Sequence, residues 1–310
     1  SSLLRLFSEI QLNILGISFG LIYIDVLQKL SYKLFPDLSC KYIFLANLAV
    51  ISNKWFINES IGLGSIFLGS IFLMLGILNT KKKLGILFHI FAFLMRPNYI
   101  LFFLPLMFFN ITSSAKSERF LLFRFYAIIF LFCLPWMLIV DSQYPGSGFN
   151  YIFIANREAA GILPQEFPIY LRKLGITDLN LLWHWHPTLK DTFLALTNLE
   201  VLNYVFQIFI LKNLAFLGLR FNEAFMTTWG GYASEIWGTI YFAILMLPSY
   251  LVTVFFSIFR YFRSNNFLSS ILNASIIYAL INSLLMGVPR YSILTANFYI
   301  LFTFYLIYKY

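Results

Sequence analysis

An all-α fold, a polytopic transmembrane helical bundle of about nine membrane segments with one external loop region, is predicted by three features of this sequence. Sixty per cent of its 310 residues are hydrophobic and only 11% are charged, against about 25% charged in an ordinary soluble domain. Apolar runs such as Ile61 to Leu78 and Phe120 to Val140 approach the roughly 20 residues that cross about 30 Å of hydrocarbon. The basic residues behind the net charge of +9 stand in short clusters beside those runs. That pattern marks loop sides in a membrane protein, so topology explains the charge and no nucleic-acid partner is expected.

The predicted membrane segments are residues 6–28, 42–57, 60–79, 84–95, 97–110, 120–140, 236–260, 267–286 and 291–308. Lys81, Lys82 and Lys83 form a tight basic turn that the positive-inside bias assigns to the cytoplasm. Lys29, Lys33 and Lys41 form a second cluster, Lys116, Arg119 and Arg124 a third, and Arg260 with Arg263 a fourth. With the Lys81 and Lys116 clusters on one side, the apolar run Leu84 to Phe109 crosses an even number of times. Its break is at Arg96-Pro97, because proline removes a backbone donor and disfavours helix in the residue before it. Two short helices over 84–110 are therefore expected to meet at Arg96 in a hairpin whose tip opens into a protein-lined or watery cavity.

Residues 1–140 thus form a first helical region, 141–235 an external region rich in turn signals such as Tyr144-Pro145-Gly146-Ser147-Gly148, and 236–310 three final segments. Leu199 to Leu219 is apolar but interrupted by Glu200, Asn203, Gln207, Lys212 and Asn213, and is expected to lie on the outer surface. Counting it as a crossing would put Arg260 and Arg263 outside. Cys40 and Cys133 lie far apart without ligand-like spacing. The abrupt apolar start at Ser1, without a basic leader, makes this the expected later part of a longer protein.

Four motifs occur in order along the chain. They are Phe93-Leu94-Met95-Arg96-Pro97-Asn98-Tyr99 before a short helix, the segment Gly148 to Gly161 containing Asn150-Tyr151-Ile152-Phe153-Ile154-Ala155-Asn156, the helix Phe209-Ile210-Leu211-Lys212-Asn213, and Met286-Gly287-Val288-Pro289-Arg290-Tyr291. Together they resemble the multi-spanning glycosyltransferases that use polyprenyl-phosphate sugars, the superfamily of protein O-mannosyltransferases and lipid A aminoarabinose transferases. Members of that family open with a span followed by an external loop bearing a catalytic Asp. The first span here looks like the family's second, so the catalytic Asp is expected upstream of this chain. At Asn58-Glu59-Ser60 the family's Ser-Glu pair is displaced by about one and a half helical turns.

The resemblance implies transfer of a sugar from a membrane-borne polyprenyl-phosphate donor to a glycan, lipid or protein acceptor at the outer face of a membrane, bacterial inner membrane by expectation. Such transfer needs cations near the departing phosphate and a carboxylate for the acceptor's proton. It needs no nucleotide domain and no cofactor, in keeping with the absence of a phosphate-cradling Gly-rich loop. Arg96 is the leading phosphate ligand, since an arginine at membrane depth demands a partner. Its bland alternative is a pairing with Glu59 or a backbone carbonyl that merely fixes the hairpin. Arg290 with Tyr291 either grips the same phosphate or anchors an interface, and Lys212 either binds lipid phosphate or snorkels. Glu59 is a candidate acid or base, although helix starts favour glutamate for dipole reasons. His184 and His186, on one face of a predicted strand, form a weak metal alternative with Glu166 or Asp191. The competing functions are a transporter or flippase of lipid-linked sugars and a surface-polysaccharide polymerase or ligase.

Overall fold

A computed structural model describes residues 2–53, 56, 65–96, 99–143, 152–153, 168–177, 179–185, 187–217, 240–258, 267–285 and 293–310. Every regular element among them is helical, in agreement with the expected all-α class. The chain divides into two compact units. The first comprises residues 1–134, 241–278 and 292–310, and the second 135–240 and 279–291.

In the first unit, α1 (Ser2–Leu34) leads into α2 (Cys40–Ile51), α3 (Ser65–Leu78), α4 (Lys83–Met95), α5 (Ile100–Ser113) and the start of α6 (Lys116–Gln143). After a π-helical turn at Phe242–Met246 come α11 (Leu247–Phe256), then the first part of α12 (Phe267–Leu285), whose residues from 279 belong to the second unit, and α13 (Ile293–Lys309). α3 and α4 pack together most extensively, while α13 lies against α2, α3 and α11. The turn between α3 and α4 is tight: Lys81 takes a left-handed conformation with φ 75°, and Lys82 N donates to Asn79 O at 3.0 Å.

The first unit has an apolar core that includes Leu27, Met74 and Phe102, yet it also buries polar residues and exposes large apolar ones. Ser31, Ser70, Thr253, Ser275, Thr295 and Asn297 are fully buried, whereas Leu21, Phe44, Phe120, Leu131 and Phe132 are more than 60% exposed. Water would penalise that surface, but hydrocarbon would not, and helices in lipid associate through small and polar residues because their apolar faces gain nothing from leaving it. The buried polar groups follow the rule that they must bond: Ser31 donates to Leu27 O, Thr253 to Ser249 O and Ser275 to Ile271 O. Asn297 of α13 donates to the Tyr23 hydroxyl of α1 and lies 3.7 Å from Met74 Sδ of α3, tying three helices together. Replacing Asn297 by Leu is expected to lower resistance to denaturing detergent by roughly 1 kcal/mol, the size of an interhelical hydrogen bond in a membrane. Unchanged unfolding would show that packing alone holds α13.

Helix length corrects the count of nine spans. Two helices among the described residues, Ile14–Leu34 and Phe267–Leu284, are long and apolar enough to cross a membrane, and a third is counted if a bent pair in the second unit is one span. Cys40–Ile51, Phe67–Leu78, Lys83–Met95, Ile100–Ser113 and Ala243–Phe256 are apolar but only 10–17 residues long. At 1.5 Å per residue they fall about 5–15 Å short of the hydrocarbon thickness. In the predicted 42–57 segment the helix α2 ends at Ile51, where the polar Ser52 and Asn53 follow and bond back to Leu48 O and Val50 O.

The second unit contains α7 (Ile169–Lys173), α8 (Leu179–His184), α9 (Leu189–Leu196) and α10 (Leu199–Leu217). Its core is Phe153, Leu171, Ile176, Leu182, Ala195, Val201, Tyr204, Val205 and Ile208. Gly175, at φ 81°, lets the chain reverse after α7, with Ile176 N bonded to Leu171 O at 3.0 Å. A capping box starts α9: Thr188 Oγ1 accepts from Asp191 N, while the Asp191 carboxylate accepts from Thr188 N.

Candidate functional site at the Arg96 break

α4 ends at Met95, and Arg96 is extended, with φ −151° and ψ 99°. Its N–H still closes the last turn on Ala92 O at 3.0 Å, and its carbonyl accepts from Tyr99 N, so the break is a short, bonded corner rather than a loop. The residue after Arg96 is a proline, which disfavours helix at Arg96. Tyr99, opening α5, fixes the corner. It is 2% exposed, shares a 2.7 Å hydrogen bond with Ser70 Oγ and lies over Gly69 of α3, where a Cβ would meet its ring at 2.5 Å. Arg96 itself is half-buried and reaches Ser65 Oγ through Nη1 at 3.5 Å. That contact is long for a hydrogen bond. The site is therefore a positive fork with five N–H donors, presented between two short apolar helices by an anchored backbone.

Lys212, in the second unit, is only 1% exposed, and its ammonium donates to Leu284 O at 3.3 Å. The adjacent Asn213 donates to Ser283 Oγ at 3.1 Å. Glu200 accepts from Ile169 N at 3.0 Å, at the start of α7. The polar interruptions that directed α10 to an outer surface are thus partly internal tethers, and Lys212 is no snorkelling lysine. α9 and α10 meet at an angle of 96°, as a broken span or a re-entrant loop would.

Of the weak metal alternative, His184 ends a helix, and Trp185 N bonds back to Leu182 O. Asp191 is engaged in the α9 cap. Among the described residues no group of three His, Cys, Asp or Glu could hold a metal ion. Glu59, Arg290, Tyr291, His186 and Glu166 lie outside the described residues. Of the motif from Gly148 to Gly161, Ile152 and Phe153 are described, and Phe153 is a fully buried member of the second core, 5.2 Å from the Trp185 ring.

Two features escaped the sequence reading. His89 is buried against Gly76, Phe103 and Phe125, and Lys33 and Lys81, read in sequence as markers of separate loops, share one cavity. Nothing in periodicity flags either, since both depend on which helices pair. Compared with known proteins, the chain matches no family model, no curated protein and no solved structure.

Proposed function

We propose that this chain is a multi-pass membrane glycosyltransferase, which moves a sugar from a polyprenyl-phosphate donor to an acceptor at the outer face of a bacterial inner membrane. The observation that carries it is the Arg96 corner: an arginine held at a proline break between two apolar helices, its backbone anchored by Tyr99. Charge grows on the departing phosphate during glycosyl transfer, and a guanidinium already in place stabilises it without reorganisation. Arg290 with Tyr291 supplies a further phosphate contact in this scheme, and Glu59 a secondary acid or base.

The direct test is to reconstitute the protein in liposomes and follow release of labelled sugar from a polyprenyl-phosphate sugar. Turnover above empty liposomes is expected; none with any carrier-linked hexose or pentose would exclude the reading. Orientation is checked separately by reporters placed after Lys82 and after Asn156, which are expected on opposite sides of the membrane.

One observation favours a second reading, a transporter or flippase of lipid-linked sugars. The 96° bend between α9 and α10 is an interruption additional to that at Arg96, and discontinuous helices form the substrate sites of many transporters. Sealed vesicles separate the two readings: movement of intact donor across the bilayer without sugar release would establish the second.

A further inference from the structure

We propose that the lysine-rich end of the first unit is a binding site for a phosphate-bearing anion, independent of the Arg96 corner. A cavity of about 400 Å³ opens there, lined by Lys33, Thr80, Lys81, Asn110, Ser113 and Ser114. Its volume lies within the range of small-molecule sites. Five parts of the fold meet around it: the end of α1, the α3–α4 turn, the end of α5, the first turn of α6 with Glu118, and the start of α12 with Phe267.

The lining is arranged to hold positive charge in place. Lys33 Nζ donates to Ile77 O at 3.0 Å and Leu78 O at 2.8 Å, the carbonyls that end α3, and sits 5.4 Å over the Phe267 ring. Lys81 is aimed by its left-handed backbone and pairs with Glu118 at 2.9 Å. An ammonium has three N–H donors, so these bonds leave donors on both lysines for a guest. Lys33, Lys81 and Lys82 are close enough to repel one another, and Glu118 is the one carboxylate lining the cavity. Excess like charge in a recess walled by apolar helices is relieved by a bound anion.

The neutral donors suit phosphate oxygens. Ser114 Oγ bonds Asn110 O at 2.7 Å, Thr80 Oγ1 bonds Ile77 O at 2.9 Å, and Ser113 Oγ shares a 3.0 Å contact with Ser270 Oγ. Hydroxyl rotors of this kind can turn to a guest at small cost. One turn along α6, Phe120, Leu121 and Phe123 are exposed, providing apolar surface for a chain attached to the headgroup. Basic pockets between membrane helices accept anionic lipid headgroups by this chemistry. A soluble phosphate ester offers the same oxygens without the chain.

The test is thermal unfolding of the full chain in neutral detergent, titrated separately with phosphatidylglycerol, phosphatidylcholine, glycerol 3-phosphate and inorganic phosphate. Saturable stabilisation by phosphatidylglycerol and not by phosphatidylcholine is expected. Lys33→Gln and Lys81→Gln are each expected to weaken it by about tenfold, the loss of one charge-assisted hydrogen bond. Lys29→Gln, which removes an exposed lysine paired with Asp25, is expected to leave it unchanged. Equal saturable protection by glycerol 3-phosphate or inorganic phosphate would identify the soluble source of the same chemistry. Because Lys33 also tethers α3, Ala115→Trp serves as a second variant that fills the cavity and keeps every charge. No saturable binding of any of these phosphates, or binding indifferent to both Lys81→Gln and Ala115→Trp, would overturn the proposal.

Discussion

Arg96→Ala is expected to cut binding of a polyprenyl-phosphate sugar by about 10- to 100-fold while the chain still inserts and folds, because a hydrogen bond to a charged group contributes about 1.5–3 kcal/mol. The prediction separates the two roles open to this residue. If Arg96 serves mainly to hold the corner, Arg96→Ala should lower the melting temperature together with donor affinity. The contact to Ser65 is 3.5 Å long, so Ser65→Ala is expected to change donor affinity less than threefold, within the few tenths of a kcal/mol such a contact supplies. Arg96→Lys is expected to fall between wild type and Ala, since lysine keeps the charge and loses the planar fork that matches two phosphate oxygens. The measurement is donor affinity in detergent, with melting temperature recorded for each variant. Wild-type affinity in Arg96→Ala at an unchanged melting temperature would remove the phosphate role.

Gly85→Val is expected to cause the largest loss of stability of any single substitution considered, about 3 kcal/mol, the upper part of the range for overpacking. A Cβ at Gly85 would collide with the Asn79 carbonyl oxygen, meet the carbonyl carbon at 2.8 Å and approach Phe125 Cζ at 3.3 Å. The obstruction is backbone, and that backbone is already committed, for Asn79 O accepts from Lys82 N within the α3–α4 turn. No side-chain rotation relieves the clash, so α4 must move away from α3, its most extensive partner. Gly20 in α1 is the contrasting case. Nothing lies within 4 Å of a Cβ there, and Gly20→Ala is expected to be neutral or stabilising through helix propensity. Detergent-unfolding curves measure both; equal melting of Gly85→Val and wild type would show that the turn has slack.

The Lys81 turn, the Arg96-Pro97 interruption and the helices around them could be read from sequence because each has a local cause. A proline removes a specific donor, and a run of lysines cannot enter hydrocarbon. The ends of α4 at Met95 and of α12 at Leu285 fall within a residue of the expected 95 and 286. The number of spans was not legible in this way. Five apolar helices of 10–17 residues among the described residues are too short to cross by length, and hydropathy alone does not register where a backbone helix starts and stops.

Sequence alone determined that this chain is helical and built for lipid, since composition, apolar run length and placement of charge are properties each residue carries wherever it sits. Only the tertiary structure decided what the charged and polar residues face. Lys212 could lie on a surface or inside; packing against α12 puts it inside, on Leu284 O. Lys33 and Lys81 mark separate loops in sequence, and pairing of α1 with α3 brings them to one cavity with Glu118. Side-chain surroundings depend on which helices are neighbours, and in a uniformly apolar chain that choice is made by the few small and polar residues that fit together, not by the periodicity of any one segment.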